Sequence, residues 1–261
     1  MTRSVVSNIL SLARTGLKGL TLIGFYCMFE ALTATNVWAS NATWSANPAT
    51  GDWNTAGNWV QGVVPDGTAT FGVSNTTNVS VSLALTDVGK IIFSPGASGY
   101  SLSTLPDADL LFQPSGIVNN SGIEQNFSTS NSVRGGIGFI GAASAGVQTK
   151  FTIAGGALTF SLSAVADEAT INTLGAPTAD GVGGFTGFYD NSSASAATIS
   201  NEAGQAEGAN GGLTVFQGTS RAGTAVVTCE GGSVSGANGG PASVQRQRQC
   251  GYRHARGQRR D

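Results

Sequence analysis

The chain has 261 residues, of which 38 are Gly and only 11% are charged, for a formal net charge of −2. This length admits one or two domains with a sizeable core. A Gly-rich, charge-poor chain suits an extracellular β-solenoid better than a cytoplasmic enzyme, and no nucleic-acid partner is expected.

Residues 1–39 read as an export signal. Arg3, Arg14 and Lys18 make a basic start, Leu20 to Phe29 an apolar stretch, and Val37-Trp38-Ala39 a cleavage site before Ser40. The alternative is a membrane anchor. The apolar run, however, falls far short of the roughly 20 residues a spanning helix needs, and Glu30 interrupts it. Cys27 follows Tyr26 rather than a small residue, so lipidation is not expected. After signal removal no integral membrane segment is expected.

Residues 40–132 are expected to form an N-terminal cap and irregular early rungs. Trp44, Trp53 and Trp59 lie close together in the chain. Such a cluster could bind carbohydrate, or it could seal the open end of a solenoid core, since terminal solenoid units need a cover; sealing is favoured. Asp52, Asn54 and Asn58 are expected to fix turns rather than to ligate. From Val73 to Ser132, alternating runs such as Val79–Leu85 and Lys90–Phe93 are broken by turns like Ser94-Pro95-Gly96, which gives short strands at irregular spacing.

Residues 133–243 carry a repeat. Gly-Gly pairs at 155–156, 183–184, 211–212 and 239–240 recur with a 28-residue period, and Phe160, Phe188 and Phe216, Ala169, Ala197 and Ala225, and Ile171, Ile199 and Val227 stand at matching offsets. A fixed period of this size argues for a solenoid whose units bury their apolar faces only by stacking. The apolar runs, such as Leu213–Phe216 and Thr224–Thr228, are too short for helices. A 20-residue spacing also occurs, from Gly135-Gly136 to Gly155-Gly156 and from Gly211-Gly212 to Gly231-Gly232. Each unit is therefore either a rung of that shorter period with an eight-residue loop (175–182, 203–210, 231–238) or one long rung of the full period. The fold class expected is all-β, a right-handed parallel β-helix with ladders of Phe, Ala and Ile/Val. The Phe ladder belongs to the core or forms an exposed platform for sugar rings, with the core favoured. The Gly pairs are expected to supply corner angles that a side chain forbids.

Residues 244–261 change character, with six Arg between Val244 and Asp261. Between Ser40 and Ser243 there are four basic residues against 13 acidic, a net of 4 − 13 = −9. The break falls where a fourth repeat would begin, with Val at 244 in the Phe position. The tail reads as an out-of-frame stretch or, alternatively, as a genuine disordered basic tail that binds anionic polymer. A third reading takes the chain as a pseudogene product, with an exposed last rung prone to aggregate.

For chemistry, the sole His is His254 in that tail, so a Ser-His-Asp triad or a His-based metal site in the repeats is excluded. Cys27, Cys229 and Cys250 form no CxxC motif, and Cys229 is expected as a lone thiol. A β-helix glycosidase or lyase would need two carboxylates converging on a groove. The candidates are Asp167, Glu168, Asp180, Asp190, Glu202 and Glu207, but Ser195 and Ala196 replace the first two one repeat on. They are read as solvated loop charges. No catalytic, cofactor-binding or metal residue is assigned, no enzyme activity or cofactor is expected, and the partner class expected is host or cell-surface polysaccharide.

The opening Trp44-Ser-Ala-Asn-Pro…Gly51-Asp-Trp-Asn-Thr-Ala-Gly-Asn-Trp59…Val64-Pro-Asp-Gly-Thr-Ala-Thr-Phe71 resembles the N-terminal unit of bacterial autotransporter-like surface proteins. The run Gly211-Gly-Leu-Thr-Val-Phe216, followed by Ser220-Arg-Ala-Gly-Thr-Ala225, is similar to the β-helix repeat of their passenger domains. The resemblance covers residues 41–243 and implies export across the inner membrane, then display of a β-helical passenger at the cell surface through a C-terminal barrel. Nothing after Ser243 shows the alternating strands of such a barrel, so the chain reads as the N-terminal fragment of a passenger, with adhesion as its expected role; the alternative is a secreted carbohydrate-binding or carbohydrate-active β-helix protein.

Overall fold

The computed structural model describes residues 39–245. The expected signal and most of the expected tail, with Cys27, Cys250 and His254, lie outside the described residues. Within them, runs of four or five alternating residues form strands that cannot bury both faces alone, and each therefore pairs with its equivalent one circuit away. Nine strands make one parallel sheet, in the order Ala42–Thr43, Thr68–Phe71, Thr86–Phe93, Asp109–Asn119, Gly136–Phe139, Ala157–Phe160, Phe185–Phe188, Leu213–Gln217 and Ala242–Gln245. Seven make a second: Asn78–Val81, Ser101–Thr104, Gln125–Thr129, Thr149–Ile153, Thr170–Thr173, Thr198–Asn201 and Val226–Cys229. From Thr68–Phe71 onward the chain visits the sheets alternately, so the fold is a β-solenoid of about eight turns with one short 3-10 turn at Ala56–Asn58 among the described residues. A third side is closed by a column of single parallel bridges through Gly116, Ser144, Val165, Ser193 and Arg221.

Both sequence periods are present, for different reasons. Thr170 pairs with Lys150, and Gly136 with Ala157, around a short circuit, whereas Thr170 pairs with Thr198, and Phe185 with Leu213, around a long one. The longer circuit is the shorter one plus an excursion pinched at its neck. The amides of Gly184, Gly212 and Gly240 donate to the carbonyls of Leu174, Glu202 and Glu230 at 2.8, 2.8 and 2.9 Å. The excursions stack in turn: the Gly204 amide donates to the Asn238 carbonyl at 2.9 Å, and Asn238 Nδ2 donates to Asn210 Oδ1 at 3.0 Å. A short rung carrying an inserted loop is thus the correct division of the repeat. Gly136 faces Ala157 rather than Gly156, so the spacing of those two Gly pairs misses the strand register by a single position.

The Gly pairs act differently from the expectation. Gly135 and Gly155 have φ of +92° and +97°, but the later pairs at 183–184, 211–212 and 239–240 are not left-handed. They serve close approach. A methyl on Gly212 would collide with the Thr173 carbonyl oxygen, and one on Gly184 with that of Ile153, because the loop neck presses against the end of the second-sheet strand of the preceding rung.

Register turns the repeated Phe into the core. Phe112, Phe139, Phe160, Phe188 and Phe216 stack with centroids 4.5, 5.0, 4.8 and 4.8 Å apart and planes within 7° of parallel. Carbon atoms pack at roughly 3.5–4.0 Å, so rings at this centroid spacing are slipped sideways, the offset that their quadrupoles favour. All five are buried, so this ladder offers no platform to a sugar. Facing it, Phe127 and Phe151 stack at 5.1 Å and give way to Ile171 and Ile199, with Ala169 and Ala197 equally buried. Two rungs carry an inward polar pair, each satisfied: Thr173 Oγ1 with Thr186 Oγ1 at 2.8 Å, and Thr214 Oγ1 donating to Asn201 Oδ1 at 2.7 Å. At the first rung, Trp44, Trp53 and Trp59 are no more than 2% exposed; Trp59 packs edge-on to the other two, and all three pack against Phe71, so these indoles present no face to a ligand.

The two roles of Gly are separable by substitution. Gly212→Ala should lower stability by about 1–3 kcal/mol, because the neck must move away from Thr173. Gly231→Ala, where a methyl meets nothing within 4 Å, should be neutral or stabilising by up to about 1 kcal/mol. Urea denaturation of both variants measures the contrast, and equal midpoints would refute the close-approach account.

Candidate functional site

The six candidate carboxylates occupy corners and loops, and the corners repeat. Gly141, Leu162, Asp190 and Gly218 form one column of left-handed residues, with φ of +74°, +60°, +54° and +70°. Gly146, Asp167, Ser195 and Gly223 form a second (+78°, +57°, +57°, +65°), and Asp180, Gly208 and Gly236 a third (+53°, +68°, +76°). Asp tolerates this conformation better than most side chains because its short polar group bonds locally. Asp190 Oδ2 accepts from the Leu162 amide at 3.0 Å, and Asp167 Oδ2 accepts from Ser144 Oγ at 3.1 Å. Three of the six candidates are therefore turn formers. Glu168 is an exposed neighbour of Asp167. Asp180 and Glu207 meet only through the main chain, the Asp180 amide donating to the Glu207 carbonyl at 3.3 Å. Among the described residues no group of three or more metal-ligating side chains comes together.

One acidic pair does share a space. Glu202 and Glu230, one rung apart, line an open cleft of about 480 Å³ with Gly204, Gln205, Ser233 and Val234. Burial, and then the Glu230 charge, push the Glu202 carboxyl above its ordinary range. Only Glu202 of this pair stood among the sequence candidates; Glu230 is its counterpart one repeat on.

The outer faces of the two sheets differ in chemistry. Pairing on the second sheet aligns Lys150, Thr170 and Thr198 in one outward column and Thr152, Asn172 and Ser200 in the next. On the first sheet the outward columns are Ala157, Phe185 and Leu213, and Leu111, Gly138, Thr159, Gly187 and Val215. Phe185 and Tyr189 stand two residues either side of Gly187 on this face and bend over it. A methyl on Gly187 would lie 2.7 Å from Phe185 Cε1, 2.7 Å from Tyr189 Cε2 and 2.8 Å from the Tyr189 hydroxyl. The rings occupy the space that a side chain at 187 would take. Both are half-buried, and burial pushes the Tyr189 phenol up to about 12. Sequence reasoning missed this pair. Its signal was the period of two: an inward Phe188 puts Phe185, Gly187 and Tyr189 on the outside.

The corner columns predict that Leu162, left-handed and 46% exposed, is strained. Leu162→Gly should gain about 1 kcal/mol, read as a higher midpoint in urea. The phenol supplies a pH test. Tyr189 holds its proton more tightly folded than unfolded, where a phenol ionises near 10. Its contribution is complete below about pH 10, falls by about 1.4 kcal/mol per pH unit between about 10 and 12, and then levels off. Tyr189→Phe should remove that share of the alkaline decline and leave the share of Tyr100, whose phenol burial also raises. Unchanged slopes in urea titrations between pH 9 and 11.5 would refute it.

Compared with known protein families, curated proteins and solved structures, the chain matches none.

Proposed function

We propose that this chain is an exported, non-enzymatic β-solenoid of the autotransporter passenger type that works by surface contact, in adhesion. The observation that carries the reading is the division of labour between the faces. Every inward column is committed to packing, and the carboxylates that could do chemistry are mostly committed to corners, so the long outer faces are what remains to meet a partner. The fold is consistent with a passenger-like protein, and the residues resembling a passenger's opening unit, Trp44 to Phe71, lie together in the first rungs. The three indoles packed on Phe71 support their reading as the cover of the first rung. Host or cell-surface polysaccharide is the partner class, and the cell exterior the compartment, that this reading requires.

The test is expression of the full chain, with an internal epitope in the exposed excursion around Thr178, in a Gram-negative host. The expected result is a mature N-terminus at Ser40, epitope loss when protease is added to intact cells, and recovery outside the cytoplasm. An uncleaved protein retained in the cytosol would overturn the reading.

A further inference from the structure

We propose that the outer face of the first sheet around Phe185 and Tyr189 is a binding shelf for a neutral polysaccharide, held by stacking of its sugar rings on the two aromatic rings. The inference deepens the surface-contact reading and rests on it for the setting in which the polymer is met. Three observations carry it.

The first is the asymmetry between the outer faces. Solenoid sides turned to water are ordinarily polar, as the Lys150, Thr152, Asn172 and Ser200 face of the second sheet is. The strands of the first sheet from Gly136 to Gln217 place no charged residue outward, and they present Phe185 and Leu213 instead. Phe185 and Leu213 are half-buried, and apolar residues side by side on a face without charge suit an interaction site.

The second is the attitude of the rings. Their tips lie where the Gly187 side chain would be, so both rings lean down over the strand, and each stays half-buried rather than entering the core. Glycine in a strand is commonly covered by a neighbouring aromatic residue, and that role alone would explain one ring. It does not explain why glycine is there. The same column carries half-buried Thr159 in the preceding rung, so the sheet accepts a β-branched residue at this position. The result is a low, flat shelf rather than a pocket. Protein partners anchor by burying side chains in pockets; the C–H face of a pyranose needs only a flat aromatic surface.

The third is charge. Residues 40–243 carry 13 acidic and four basic side chains, a net of 4 − 13 = −9, and the shelf has no cation. An acidic polysaccharide or anionic surface would be repelled, and a neutral polymer would not.

The test is affinity electrophoresis of the full chain in native gels containing galactomannan, hydroxyethylcellulose, xyloglucan or laminarin, with polygalacturonate as the acidic comparator. At least one neutral polymer should retard the protein and polygalacturonate should not. Because trimming the rings could unsettle the sheet, the informative variant is Thr159→Arg, which adds bulk and charge beside the rings and removes no packing. It should weaken retardation roughly tenfold, as loss of a stacking contact does, whereas Tyr189→Phe and Thr170→Arg on the other sheet should migrate as the parent does. Circular dichroism confirms that each variant is folded. No retardation by any of the four neutral polymers would overturn the proposal, as would equal retardation of Thr159→Arg or stronger retardation by polygalacturonate. A parent dimer that Thr159→Arg dissociates would make the face an interface between copies and would also overturn it. Gel retardation without export in cells would sink the surface reading alone, and export without retardation would sink the shelf alone.

Discussion

In-register parallel pairing is the constraint from which the rest of this structure follows. When main-chain bonds hold each strand opposite its equivalent one circuit away, every side chain sits about 4.8 Å above its counterpart, and an inward position must be filled by something that stacks on itself. Phenylalanine does so by slipping, which is why Phe112 to Phe216 run as one column of near-parallel rings. Alanine does so by being small, as Ala169 and Ala197 do where the chain enters the second sheet. Where a polar residue enters, as at Thr173 and Asn201, it survives because a threonine on the next strand reaches across the core to meet it. Unpaired, either group would carry a desolvation cost of roughly 1–3 kcal/mol.

The same constraint disposes of most of the acidic residues. A solenoid must turn at fixed points in each circuit, and in the later rungs those points take left-handed backbone. Glycine fills them in some rungs and Asp167, Asp180, Asp190 and Ser195 in others. A carboxylate at such a corner has an oxygen engaged by the preceding turn of chain, as Asp190 and Asp167 show. Glu202 and Glu230 differ because they lie at the necks of stacked excursions, where register brings two like charges to one cleft instead of spacing them around a corner.

The architecture was legible in the sequence because repetition reports on packing directly. The constant spacing of Phe160, Phe188 and Phe216 is the strand register itself, read from the inside of the fold. The early rungs were less legible: Thr68 pairs with Lys90 and Asn78 with Ser101, circuits of differing length in which only the inward residue type recurs. The glycines misled, since composition cannot tell a residue chosen for its φ from one chosen for its missing methyl; Gly212 is the second kind and Gly155 the first. The outward aromatic pair was hidden by an ordinary assumption, that Phe in a repeat belongs to the ladder. Phe185 does not, because it stands an odd number of positions from Phe188 in a structure of period two.

Outward columns therefore call for a different reading from inward ones. An inward column must stay constant or the stack fails, so its regularity records folding and says nothing of function. An outward column faces water and is free to vary from rung to rung, as Thr170 and Thr198 give way to Val226 on the second sheet. A departure there is not forced by packing. The column Ala157, Phe185, Leu213 departs from the polar rule over three consecutive rungs, and it does so beside Gly187, where the backbone between the rings has been reduced to glycine. Folding does not require that combination, so its cause is to be sought in what the surface touches.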